Sequence, residues 1–166
     1  MRVPIRKAGE YTYIKPDPFI TQEKFDELKK NIKHLKENIQ PHLIKEVKRL
    51  AELGDFSENV EYQWAKGKLR GINSKMLKIE KQIASAQIIK ANKNSSSVQI
   101  GNLVTIESSQ KERQYRILGS LETDPAAGVI SYQSPLGLEL MNKKVGDTVA
   151  IKLYDKTVEY KIIKIQ

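Results

Sequence analysis

The stretch YQWAKGKLRGINSKMLKIEKQIASA, Tyr62–Ala86, decides the fold. Within it Tyr62, Ala65, Leu69, Ile72, Met76, Ile79, Ile83 and Ala86 recur at spacings of 3, 4, 3, 4, 3, 4 and 3. That repeat places all eight on one stripe of an α-helix, the seam of a coiled coil. Upstream, Phe25, Leu28, Ile32, Leu35 and Ile39 form a second seam spaced 3, 4, 3, 4, and Leu43, Val47, Leu50 and Ala51 continue an apolar stripe towards Leu53. Thr21 is placed to cap this first helix, with Glu23 in its first turn. Pro41 interrupts it and should bend or loosen it. Gly54 then ends it, as glycine does after a helix C-terminus. Two long seams joined by a turn of a few residues must fold back on each other as an antiparallel helical hairpin. At roughly 30 residues per arm and ~1.5 Å per residue, the rod should be about 45 Å long.

The flanking segments differ from the hairpin. Residues 1–20 hold Pro4, Pro16 and Pro18 with no sustained periodicity and read as an extended or mobile N-terminal arm. The hairpin takes residues 21–91, with its tip at 54–62, and the Asn/Ser-rich run 92–97 reads as a linker. From 98 to 166 the hydrophobic period changes to two. Strands are predicted at Val98–Ile106, Gln114–Gly119, Val129–Tyr132, Thr148–Leu153 and Val158–Ile165, with a short helix over Leu136–Asn142. The fold class is therefore α+β: a coiled-coil hairpin followed by an antiparallel β domain with a short helix.

Composition narrows the chemistry. The 166 residues include no cysteine, which excludes disulfides, thiolate zinc sites and cysteine nucleophiles. There are two histidines, His34 and His42, too few for a His-rich metal site, and no Gly-x-Ser-x-Gly elbow is present. No run approaches the ~20 apolar residues of a membrane span. The basic start Met1–Lys7 lacks the apolar segment of a signal peptide, and the lack of cysteine fits the expected cytoplasmic location. The net charge is +9, of which residues 1–94 carry +8. A basic segment of this kind favours contact with a polyanion, although Lys-rich helices also serve solubility alone.

Against that basic background the tip is acidic. Asp55, Glu58 and Glu61 lie there, and no Lys or Arg occurs between Arg49 and Lys66. Asp55 and Glu58, three apart, could converge on Mg²⁺, which takes oxygen ligands and keeps several waters. Two carboxylates are too few for a tight site, so further ligands would have to come from a phosphate or another protein. The same spacing also suits a capping box, in which Asp55 caps and Glu58 reaches back. Lys68, Lys75 and Lys78, seven and three apart, share one helix face that could track a nucleic-acid backbone or simply be solvated. Trp64, beside the tip, could stack on a base or pack on the partner helix.

Gly54-Asp-Phe-Ser-Glu-Asn-Val-Glu-Tyr62 resembles the tip motif of the bacterial Gre transcript-cleavage factors, the GreA/GreB family. Gln114–Gly119, Ile130–Gly137 and Leu140–Asp147 resemble the family's strand and loop signatures, and the likeness runs from about Thr21 to Ile165. The resemblance implies an FKBP-like globular domain that docks on bacterial RNA polymerase, and a hairpin that enters its secondary channel. There the factor, not itself an enzyme, would stimulate the polymerase's own cleavage of backtracked RNA. By the same resemblance Asp55 and Glu58 hold a Mg²⁺ shared with the polymerase and orient the attacking water, with no cofactor bound tightly by the chain alone. Ser57, Asn59, Glu61 and Tyr62 would position those acids, and Ser134 and Pro135 would touch the polymerase rim; the face of Lys68, Lys75 and Lys78, read from spacing, is the candidate track for the RNA. The implied surroundings are the polymerase, the nascent RNA 3′ end and nearby DNA, with no membrane, and the factor acts as a monomer. The basic run Tyr62–Arg70 is closer to GreB and the Ser-Pro-Leu-Gly loop closer to GreA, so the subtype stays open.

Three other functions compete. An inhibitory relative would occupy the same channel without promoting cleavage, and the intact acids at 55 and 58 argue against it. A prolyl isomerase is suggested only by fold, which is weak warrant for function. A plain coiled-coil nucleic-acid binder would leave the acidic tip unexplained.

Overall fold

In the computed structural model, residues 17–54, 58–90, 92, 95–153 and 156–166 are described. Strand β1 (Phe19–Ile20) leads into α1 (Gln22–His34), a π-turn at Leu35–Ile39 and α2 (Gln40–Ala51). After the tip come α3 (Val60–Ser85) and β2 (Gln87–Ile88). The second half holds β3 (Leu103–Ser108), β4 (Lys111–Leu118), β5 (Val129–Ser131), α4 (Pro135–Leu140), β6 (Thr148–Leu153) and β7 (Lys156–Ile165). Among the described residues no helix is long and apolar enough to cross a membrane.

The two seams zip as their spacing requires. Leu28, Leu35, Met76 and Ile79 are buried, with Phe25, Ile32, Ile39, Ile72 and Ile83 packed around them. Thr21 is the N-cap of α1, its hydroxyl accepting from the Lys24 amide at 3.2 Å. The interruption expected at Pro41 takes a definite form. Proline has no N–H to give its i−4 carbonyl, and the chain widens into the π-turn just before it, where the Gln40 amide bonds to the Leu35 carbonyl. Polar links cross the rod near this point: Lys36 to Glu80 at 2.6 Å and Gln40 to Asn73 at 2.8 Å.

The second half is a five-stranded sheet in the order β5-β4-β3-β7-β6. Its pairs are antiparallel except β4–β5, which is parallel, so the expected all-antiparallel arrangement is corrected to a mixed one. The reason lies in the β4–β5 connection. It runs through two short 3₁₀ turns, Ser120–Glu122 and Pro125–Ala127, which return the chain to the starting end of the sheet. Residues 98–102 are not strand, because Gly101 adopts φ 101° and turns the chain. Asn102 is fully buried there with its amide satisfied by the Gln99 amide and the Asn92 and Gln166 carbonyls. β4 starts earlier than expected, since Ser109 and Gln110 both take positive φ and close a two-residue hairpin turn without glycine. Val98, Val104, Ile106, Ile117, Ile130, Leu140, Val149 and Ile162 form the core under α4.

Residues 17–20, expected within an extended or mobile arm, include an extended segment that is tied into the fold. Phe19 and Ile20 pair in parallel with Gln87 and Ile88, and Ile20 is buried in the base of the hairpin. Residues 1–16 lie outside the described residues.

Candidate functional site

α2 ends where Leu50 turns into the hairpin interior, and Gly54 follows at φ 77°. A Cβ at Gly54 would meet no atom of the described residues within 4 Å, and the positive φ itself calls for glycine. Asp55 and Ser57 lie outside the described residues.

Glu58 is the described half of the acid pair. The sequence left open a capping box in which Asp55 caps and Glu58 reaches back. The geometry differs: the N-cap of α3 is Asn59, whose side-chain carbonyl accepts from the Tyr62 amide at 3.0 Å. Asn wins because it sits immediately before the first helical residue, the one position from which a short side chain reaches the N3 amide. Glu58 is left one residue outside the helix, exposed, and no described residue hydrogen-bonds its carboxylate. Glu61 is exposed in the first turn, where a negative charge suits the helix dipole. Tyr62 is half-buried, with the Lys66 ammonium 5.5 Å from its ring centroid.

Among the described residues no group of three or more His, Asp or Glu could hold a metal. Glu58, exposed and uncommitted, is an oxygen donor of the kind a hard cation takes.

Lys68, Lys75 and Lys78 are all exposed on α3, within an arc of about 80° at 100° per residue. The described ion pairs are Lys24–Glu27 and Lys36–Glu80, so none of the three lysines is neutralised by a described acid. Trp64 is 61% exposed, and the Lys68 ammonium lies 3.3 Å from its ring centroid. The indole therefore faces solvent under a cation instead of packing on the partner helix.

Ser134 and Pro135 open α4. The Ser134 hydroxyl accepts from the Gly137 amide at 3.1 Å and donates to the Ser131 carbonyl at 2.6 Å, while Pro135 is exposed at N1. Elsewhere on the sheet, Ile106, Ser108, Lys111, Arg113, Val158 and Tyr160 line an open depression. The Arg113 guanidinium is pushed above its usual pKa, first by its hydrogen bond to Tyr115, and stays cationic. Lys111 and Arg113 bring two cations to this face.

Sequence reasoning missed one polar cluster. Asp17, Thr21, Ser120, Glu122 and Tyr132 meet where the hairpin joins the sheet domain. They are about a hundred residues apart in sequence and follow no period, so only the Thr21 cap signal touched them.

The profile described as "Transcription elongation factor, N-terminal" matches residues 18–88, and "Transcription elongation factor, GreA/GreB, C-term" matches residues 93–166. The Transcription elongation factor GreA of Macrococcus caseolyticus is 40% identical over 136 residues, covering 81% of this chain and 86% of the relative. That of Thermotoga maritima is 34% identical over 148 residues, covering 88% and 95%. The solved GreA factor homolog 1 (Gfh1) protein of Thermus thermophilus shares 19% identity at a TM-score of 0.41, over 89% of this chain and 97% of that one, an overlay too loose to bear on the assignment.

Proposed function

The chain belongs to the GreA/GreB family of transcription elongation factors, and from that premise we propose that it binds bacterial RNA polymerase and stimulates cleavage of backtracked RNA. The hairpin enters the secondary channel and carries its tip to the catalytic centre, while the sheet domain, through the loop at Ser134 and Pro135, rests on the rim. The observation that carries this reading is Glu58, an uncommitted carboxylate at the end of a stiff two-helix rod whose shaft is basic.

Chemically the chain contributes ligands and orientation. Glu58, joined by Asp55 on the sequence reading, would hold a Mg²⁺ shared with the polymerase, and such an ion when bound lowers the pKa of water and neutralises charge at the phosphate. Asn59 fixes the first turn of α3 and so the direction in which Glu58 leaves the helix. Lys68, Lys75 and Lys78, with Trp64, present cations and one stacking surface along which extruded RNA can lie.

The test is addition of the protein and magnesium to a purified backtracked complex. Short 3′ RNA fragments and resumed elongation are expected. Intact RNA with the channel occupied would instead establish a channel-binding inhibitor.

A further inference from the structure

We infer that residues 17–21 form a strap that sets the angle of the hairpin on the sheet domain, with Asp17 and Glu122 as its positioning residues. This rests on the proposed delivery of the tip to a catalytic centre and says how the tip is aimed.

The strap is tied on both sides. Towards the hairpin, the Gln87 amide donates to the Pro18 carbonyl at 2.7 Å and the Ile89 amide to the Ile20 carbonyl at 2.8 Å. Towards the sheet domain, both oxygens of Glu122 are engaged. One accepts from the Thr21 amide at 2.7 Å and the other from the Thr21 hydroxyl at 2.5 Å, while that hydroxyl still caps α1. Asp17 accepts from the Ser120 amide at 2.7 Å, from its hydroxyl at 3.0 Å and from the Tyr132 hydroxyl at 3.3 Å. Phe19 meets the Tyr132 ring edge-on at 5.7 Å, and Leu121 of the sheet domain packs into the hairpin's own core beside Ile20. The approach is close: a Cβ on Gly119 would lie 1.9 Å from the Phe19 carbonyl oxygen.

These attachments are spread over several points, so together they resist rotation as well as separation. Their purpose follows from leverage. Twenty-six residues of α3 span about 39 Å at ~1.5 Å each. At that radius a misplacement of about 1 Å, which can reduce catalysis ~100-fold, corresponds to only about 1.5° at the base. The chain itself passes from the hairpin to the sheet domain through residues 86–97. The strap adds the second connection.

The absence of cysteine permits clean labelling. Spin labels at Leu53→Cys near the tip and Val145→Cys on the sheet domain, both exposed, report the hairpin angle as a distance distribution. A narrow distribution is expected for the otherwise unaltered protein. Asp17→Ala with Glu122→Ala should broaden or shift it by about 5 Å or more, and lower transcript cleavage about 10-fold or more with polymerase binding changed less than twofold. Glu122→Gln, which can still accept from the Thr21 amide, should restore much of both. If the double variant loses helix content, Asp17→Ala alone decides, since it leaves the cap of α1 in place. An unchanged distance distribution overturns the strap. Failure of the unaltered protein to stimulate cleavage would overturn the proposed function while the distances still decide the strap.

Discussion

Two adjacent residues at the tip should respond in opposite ways to the same substitution. Asn59 caps α3 through a 3.0 Å bond to the Tyr62 amide, and replacing an N-cap Asn by Ala removes about 1 kcal/mol. For a chain of this size that is a fall in melting temperature of about 2–4 °C. Glu58 makes no described hydrogen bond and is exposed, so Glu58→Ala removes only a screened charge near the helix N-terminus, about 0.5 kcal/mol at most. Its effect belongs in function. If Glu58 lends a ligand to the proposed shared ion, its loss should slow transcript cleavage by about 100-fold or more, with polymerase binding nearly intact. Far-UV circular dichroism melts and a cleavage time course on a stalled complex measure the two effects separately. Asn59→Asp keeps the cap and should restore the melt. The reasoning is refuted if Glu58→Ala destabilises the hairpin more than Asn59→Ala does, or if it melts normally and still supports full cleavage.

Other perturbations separate the remaining surfaces. Lys68→Glu with Lys75→Glu should weaken rescue of long backtracks more than short ones, and equal losses would remove the RNA-tracking role. Trp64→Ala should leave stability within about 0.5 kcal/mol, because the indole is already 61% exposed. Pro135→Glu alters an exposed N1 position that tolerates acids, so it should weaken polymerase binding in a competition assay while the melting temperature holds. Gly137→Ala would set a Cβ 2.1 Å from the Ser131 carbonyl oxygen and should destabilise by about 1–3 kcal/mol, read by denaturant titration.

How much of this was legible in the sequence depended on whether a signal was periodic. The two seams announced the hairpin, and Thr21 announced where it begins. The acidic tip stood out because the shaft around it is basic. The cap of α3 was misplaced because Asp55, Glu58 and Asn59 are all competent capping types, and spacing cannot choose among them. β1 and β2 escaped because two-residue strands have no period. β5 runs parallel to its neighbour through turns whose path no local pattern encodes. Ser109 and Gln110 hid the start of β4, since neither is the glycine that usually marks a tight hairpin turn.

One further trace is in the sequence once its cause is known. The first seam runs 3, 4, 3, 4 to Ile39, but Leu35, Ile39, Leu43 and Val47 are spaced 4, 4, 4. On a regular helix each step of four overshoots a full turn by about 40°, so three would swing the stripe about 120° away from α3. The π-turn at Leu35–Ile39 holds one extra residue, about 100° of rotation, and nearly cancels that drift. Leu50 is accordingly buried at the far end of the arm, 2% exposed. Pro41 and the broken spacing are thus two halves of one device. The proline forces the wider turn, and the turn returns the apolar stripe to its partner. Were only one present, α2 would present Leu43 and Val47 to water and separate from α3, and the tip would be carried on one helix instead of two. On the proposed delivery of the tip to a catalytic centre, a lever that holds its end to about 1 Å depends on the pair staying zipped along its whole length.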